Sequence, residues 1–345
     1  MDRSHQTAKS VEALGIEGLV SLFGEWGLPS FRAKQVVRWL YQKGARTYDE
    51  MTDLPAALRS RLADELPFVF PSVLDRQVSS DGTRKYLIRF ADGTTAETVG
   101  LPTEDRLTTC FSTQAGCGMG CVFCATGQNG LSRSLLPGEM AWQVLVVAED
   151  FGCRVSNAVA MGQGEPFANY DASLAALRLL NSKDGLGIGA RHITLSTCGI
   201  IPGIQRFADE PEQFTLAISL HSAIQGVRDR IMPGMRRYPL DILRSACVTY
   251  AEETGRRPTY EYALMQGVND DDKGLDALVA FCKGTLCHVN LIPINGTEGG
   301  FRPSDPSTVA RFKQVLMENG VETSIRTPRG ADIDGACGQL RQRHG

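Results

Sequence analysis

Three cysteines stand close together in the stretch Cys117-Gly118-Met119-Gly120-Cys121-Val122-Phe123-Cys124. Thiolates spaced Cys-x3-Cys-x2-Cys can hold three irons of a four-iron cluster, and no fourth cysteine follows within the next few residues to close it. The remaining iron keeps open positions. An open iron can chelate the amino and carboxylate groups of S-adenosylmethionine (SAM) and pass an electron to its sulfonium. Gly116, Gly118 and Gly120 suit a loop wrapped tightly round such a body, because side chains would hinder the backbone there. Zinc fits less well: it asks for four ligands, commonly as two Cys-x2-Cys pairs, and one such pair is present with a third cysteine upstream. A disulfide framework fits worse still, since ten cysteines at irregular spacings are spread over 345 residues. Cys153, Cys247, Cys282 and Cys287 read as core or incidental residues.

The elements that must position this loop follow from pattern. The length allows one large domain and a smaller one, and 42% hydrophobic with 22% charged residues is ordinary for a globular chain. The opening Met-Asp-Arg-Ser-His-Gln-Thr-Ala-Lys lacks an apolar run and no segment approaches the ~18 apolar residues of a membrane span, so a cytoplasmic location without membrane contact is expected. Thirty-six basic against 39 acidic residues give a net charge of -3, so any nucleic-acid contact must be a local patch. Apolar spacing predicts helices over 17–26, 32–41 and 55–65. Arg32, Lys34, Arg38, Lys43 and Arg46 cluster around the second of these; they read either as a solvated helical face or as an RNA-docking surface. A hairpin follows, with 84–90 alternating apolar and polar before the turn Ala91-Asp92-Gly93 and 96–99 returning.

From Leu107 onward, short apolar strands at 107–111, 157–161, 192–196, 214–220, 259–265, 288–293 and 323–326 alternate with helical stretches. That rhythm predicts an α/β fold, a partial (β/α)6-type barrel of parallel strands with right-handed crossovers. The unusual residues fall at or just after strand ends: Gly164 and Glu165, Ser196, Ser219 with Leu220 and His221, and Asn295. In a parallel barrel the carboxyl ends of the strands form one mouth, so these side chains should meet at one ligand. The expected organisation is an N-terminal helical accessory domain over 1–70, a β-hairpin bridge over 71–103, the barrel over 104–328 and a C-terminal segment over 329–345.

The chain resembles the RlmN/Cfr family of radical SAM RNA methyltransferases, nearer to its RlmN branch, from about Phe31 to Leu340. The resemblance is carried by Glu104-Asp105-Arg106, by the cluster loop followed by Ala125-Thr126-Gly127, by Met161-Gly162-Gln163-Gly164-Glu165-Pro166, and by Asp332-Ile333-Asp334-Gly335-Ala336-Cys337-Gly338-Gln339-Leu340. Gln163 and Cys198 depart from it, standing where methionine and a small non-thiol residue are common. The resemblance implies a 4Fe-4S cluster on Cys117, Cys121 and Cys124, and SAM bound by Gly164, Glu165, Ser196, Ser219, Leu220, His221 and Asn295. It also implies that Cys337 carries the methyl group, that Cys110 resolves the intermediate and that Glu97 is the general base.

An adenine ring carbon of the amidine type is not nucleophilic, so a radical route is required. The implied sequence is methylation of Cys337 by one SAM, removal of a hydrogen from that S-methyl group by the radical from a second SAM, addition of the methylene to the ring, loss of the ring proton to a base, and release with a transient Cys110–Cys337 disulfide. The implied substrate is 23S rRNA at C2 of adenosine 2503, with adenosine 37 of some tRNAs, and C8 of the same rRNA adenosine is the alternative that uses the same residues. A flavodoxin or ferredoxin electron donor and a monomeric state complete the expectation.

Overall fold

The computed structural model describes residues 10–128, 130–294, 300–335 and 338–340. Cys337 and Asn295 lie outside them. Twelve strands are found among the described residues: β1 Ser72–Val78, β2 Arg84–Arg89, β3 Thr95–Pro102, β4 Leu107–Cys110, β5 Gln114–Gly116, β6 Leu131–Ser134, β7 Asn157–Ala160, β8 Ile193–Thr197, β9 Thr215–Ser219, β10 Thr259–Leu264, β11 His288–Pro293 and β12 Glu322–Ile325. Ten of them form one sheet in the order β1-β2-β3-β4-β7-β8-β9-β10-β11-β12, and β5 pairs with β6 in a separate antiparallel ribbon. From β4 to β12 the ten-stranded sheet is parallel throughout, and each crossover carries a helix. The order is linear, so the barrel is open, as the pattern of strands and helices predicts.

The predicted hairpin is larger than expected. β1 joins β2 and β3 in an antiparallel ribbon, and β3 pairs with β4, so the segment is hydrogen-bonded into the barrel's own sheet. β1 escapes prediction because it is an edge strand whose apolar residues Val73, Leu74 and Val78 remain about half exposed. No buried face imposes alternation on it.

The first helix, Val11–Glu25, starts earlier than the spacing predicts because it is kinked at Gly15, whose φ is 63°. There it crosses the helix Pro137–Phe151, which begins with proline and ends on the left-handed Gly152. The crossing is very close: a Cβ on Gly138 would lie 1.4 Å from the Glu12 carbonyl oxygen. Tyr48, Phe68, Phe70 and Trp142 then form an aromatic ladder from the N-terminal helices to the barrel, with ring centroids 4.5, 5.1 and 5.0 Å apart in turn. One apolar core runs from Val11 and Phe23 through to Phe312 and Leu316.

Two of the basic residues around the second helix, Ser30–Tyr41, serve this docking. Arg38 Nε donates to Asp184 Oδ1 at 2.6 Å. Arg46 donates to Glu149 Oε1 at 2.6 Å and sits 4.7 Å over the rings of both Phe70 and Trp142. Lys43 lies 3.6 Å over the Trp39 ring, whereas Lys34 is exposed and makes no ion pair among the described residues.

Gly138→Ala should cost about 3 kcal/mol or more, because the added methyl meets backbone rather than a movable side chain. Urea unfolding would measure it, with Gly24→Ala, which meets nothing within 4 Å, as a neutral or slightly stabilising control. Arg46→Ala should lower stability by roughly 1 kcal/mol through its lost ring and carboxylate contacts while leaving the salt dependence of RNA binding unchanged. A reduced salt slope instead would place Arg46 at the RNA.

Candidate active site

The carboxyl ends of the parallel strands open on a cavity of about 360 Å3. Cys117, Cys121 and Cys124 line one part of its wall. Cys110 at the end of β4, Gly164 and Glu165 after β7, Ser196 in β8, Ser219 at the end of β9 and His221 beyond it line the rest. Residues far apart in sequence therefore share one space, for the reason that makes a parallel barrel's mouth a binding site.

The cluster loop is bracketed by β5 and β6. Gly116 has φ 75°, and a Cβ on it would stand 2.1 Å from the Gly130 carbonyl, which itself accepts from Cys117 N at 2.8 Å. Any side chain at position 116 would open the bracket. On its other flank the loop is held by Val122 N donating to Ile231 O at 3.0 Å. The tail closes over it: Ala125 N donates to Gly338 O at 2.8 Å, and Thr126 Oγ1 to Leu340 O at 2.7 Å.

Burial pushes the Cys117 thiol up to about 11, with the charges of Cys124 and Glu165 adding to the effect. Burial raises Cys121 further, again reinforced by Cys124 and Cys117, while Arg228 opposes it. Three thiols that repel one another when ionised need a cation among them, and an iron–sulfur cluster meets that need. Among the described residues no three His, Cys, Asp or Glu side chains converge on a single ion. A four-iron cluster spreads its ligands over separate irons, so the donor set fits a cluster better than one zinc.

Glu165 is fully buried in the cavity wall. Its Oε1 accepts from Phe167 N at 2.9 Å and Thr197 Oγ1 at 2.7 Å, and its Oε2 from Cys198 N at 2.7 Å. Burial raises its pKa and these donors oppose the rise. The Cys198 thiol also bonds this carboxylate, whose negative charge at the cavity wall suits a ligand's cation. Gly164 beside it has φ 105°, and a Cβ there would press 2.6 Å from that of Gln114.

His221 adopts φ 53°, a conformation rare for a side-chain-bearing residue, and is held there from both sides. Its N–H donates to Glu261 O at 3.2 Å, and its own carbonyl accepts from Asn269 Nδ2 at 2.6 Å. Ala263 N donates to His221 Nδ1 at 3.0 Å, which leaves Nε2 carrying the proton. Burial and the nearby Arg228 charge depress its pKa to about 3, so the ring is neutral. Leu220 does not line the cavity; its side chain is fully buried, and its N–H and carbonyl are taken by Glu261 O, Ser222 N and Arg228 Nε.

Cys110 is buried in a small apolar cluster with Val99 of β3 and Leu340 of the tail. Gly335 and Gly338, on either side of positions 336 and 337, line the same cavity as Cys110. Glu97 is buried on β3 but set back from the cavity: Lys85 Nζ is 3.4 Å from its Oε1, and Gln163 Nε2 donates to its Oε2 at 3.3 Å. The Lys85 ammonium also donates to Asp334 O at 3.4 Å, which ties this pair to the tail. Cys247, Cys282 and Cys287 are buried and Cys153 is exposed. Sequence reasoning missed Asn269, Lys85 and Arg228. Their burial is decided by tertiary packing, and only the Gly267-Val268-Asn269-Asp270 turn carried a local signal.

Two family models match the chain: the ribosomal RNA large subunit methyltransferase N-terminal domain over residues 13–66 and the radical SAM superfamily over residues 111–278. A probable dual-specificity RNA methyltransferase RlmN of Pelotomaculum thermopropionicum is 46% identical over 337 residues, covering 97% of this chain and 92% of its own. Its counterpart in Alkaliphilus oremlandii is 44% identical, covering 96% of this chain and 97% of its own. The crystal structure of a radical SAM methyltransferase from Sphaerobacter thermophilus superposes with a TM-score of 0.89 at 43% identity, covering 96% of this chain and 99% of that one.

The depressed His221 pKa makes a signed prediction. The unfolded chain binds this proton near the ordinary value of 6.5 and the folded chain only near 3, so His221 supports folding above pH 6.5 and that support is lost as pH falls from there towards 3. In the iron-free protein the loss should approach about 1.4 kcal/mol per pH unit, read from urea midpoints, and it should be absent from His221→Gln. An identical slope in the variant would mean that His221 is already protonated when folded.

Proposed function

The chain belongs to the RlmN-type radical SAM RNA methyltransferases, and from that premise we propose that it methylates C2 of adenosine 2503 in 23S rRNA and adenosine 37 of some tRNAs through Cys337. The family's cofactors, a 4Fe-4S cluster and SAM, supply the methyl group and the radical. The observation that carries the reading is the meeting of the cluster loop, Cys110 and both flanks of position 337 at one cavity.

In this reading Cys117, Cys121 and Cys124 hold the cluster. The Glu165 carboxylate takes the ammonium of SAM, while Ser196, Ser219 and the Nε2–H of His221 orient its ribose and carboxylate with help from Asn295. Leu220 contributes by shaping the strand end that presents Ser219 and His221. The Cys337 sulfur accepts the methyl group of one SAM; the radical that a second SAM would supply takes a hydrogen atom from that methyl group, and the resulting methylene carbon bonds to the adenine ring. Glu97, with Lys85 as its counter-charge, removes the ring proton, and Cys110 displaces the product by bonding to Cys337. The chain divides by task into an RNA-docking part over 1–70, the ribbon over 71–103, the barrel over 104–328 and the methyl-carrying tail over 329–345. The buried position of Cys110 under Leu340 supports its role, because a resolving thiol must be kept from solvent until the tail delivers its partner.

The two cysteine substitutions should fail differently. Cys337→Ala should yield no methylated RNA and no adduct, since no thiolate accepts the methyl group. Cys110→Ala should stall with protein covalently joined to RNA, visible on a denaturing gel and placed on Cys337 by peptide mass analysis. Preserved turnover in Cys110→Ala would sink the assignment. Mass spectrometry of digested 23S rRNA separates C2 from C8 methylation.

A further inference from the structure

Arg228 is the bulkiest fully buried side chain among the described residues. It makes no ion pair there: Nη2 donates to Cys198 O at 2.6 Å, Nε to Leu220 O at 3.3 Å, and Nη1 has no hydrogen-bond partner. The neighbouring Asp229 is engaged by Gln225 Nε2 at 2.7 Å. Burying a guanidinium without a carboxylate is costly, and two carbonyls can be satisfied by neutral donors, so hydrogen bonding alone does not account for a charge at this place.

The surroundings indicate what the charge serves. Arg228 lies in the helix Gln225–Ile231, whose last carbonyl accepts from Val122 N at 3.0 Å, next to Cys121. The chain also closes on it from β8, since a Cβ on Gly199 would stand 3.3 Å from Nη2. Cys198 and Cys121 lie near enough that a negative charge at either would act on the guanidinium. It is therefore wedged between the strand ends and the cluster loop, in an interior where charges are weakly screened.

We propose that Arg228 is a fixed counter-charge for the iron–sulfur cluster, raising its reduction potential by offsetting the negative charge gained on reduction. The inference rests on the reading of Cys117, Cys121 and Cys124 as cluster ligands. Arg228 touches neither substrate nor reacting atoms; it acts through the field at the cluster, one of the levers that set such potentials.

Redox titration of anaerobically reconstituted protein, followed by cluster absorbance, tests it in the parent and in Arg228→Met, Arg228→Gln and Arg228→Lys, with thermal melts alongside. At a fixed potential the reduced-to-oxidised ratio should fall about tenfold in the two neutral variants, a shift of about 59 mV to more negative potential for one electron. Arg228→Lys should stay near the parent although it loses hydrogen bonds. If the neutral variants take up no iron while the lysine variant does, the counter-charge is again supported. Parent-like potentials in Arg228→Met and Arg228→Gln would overturn the inference, as would a lysine variant that behaves like the neutral ones, or a failure of all three to fold. A parent that binds no cluster fails differently, by removing the ligand reading itself.

Discussion

The buried carboxylate of Glu165 is the tie on which the arrangement of the mouth depends. A carboxylate taken out of water must find donors, and it finds them on Phe167, Thr197 and Cys198, which fastens the loop after β7 to the end of β8. The Glu165 N–H in turn donates to Gln114 Oε1 at 2.9 Å, which fastens the same loop to the start of the ribbon bearing the three cysteines. One buried charge thus sets three elements in register.

Close backbone approach does the rest. Gly116 lets β5 pass under the Gly130 carbonyl, and Gly234 lets the segment after the helix Gln225–Ile231 come against Met119, where a Cβ would lie 2.6 Å from the Met119 carbonyl. The tail uses the backbone in the same way, since its contacts with Ala125 and Thr126 are made by the carbonyls of Gly338 and Leu340. The Leu340 side chain adds an apolar anchor beside Val99 and Cys110.

The N-terminal helices show the opposite use of side chains. Arg38 and Arg46 are turned inward on Asp184, Glu149, Phe70 and Trp142, and the helix crossing at Gly138 leaves no room for slack. The accessory region is thereby firmly mounted, and Lys34, Lys43 and Arg61 are exposed on it with Phe31.

Much of the architecture is legible in the sequence because it is local. The Cys-x3-Cys-x2-Cys spacing, the alternation of strand and helix from Leu107 and the polar residues after each strand are properties of short stretches, and parallel topology alone obliges those strand ends to meet. Strand boundaries fell within a residue or two for β4 and β7 to β12 for the same reason. The edge strand β1 was not legible, since a strand without a buried face has no imposed period. Nor could sequence separate a cation that docks a helix from one that waits for RNA, because Arg38 and Lys34 differ only in what lies opposite them. Arg228 and Asn269 look like ordinary surface residues in the text of the chain. Their burial, the tautomer of His221 and the pairing of Glu97 with Lys85 were decided only when distant segments packed together, because desolvation and hydrogen-bond partners are properties of the assembled interior and have no local trace.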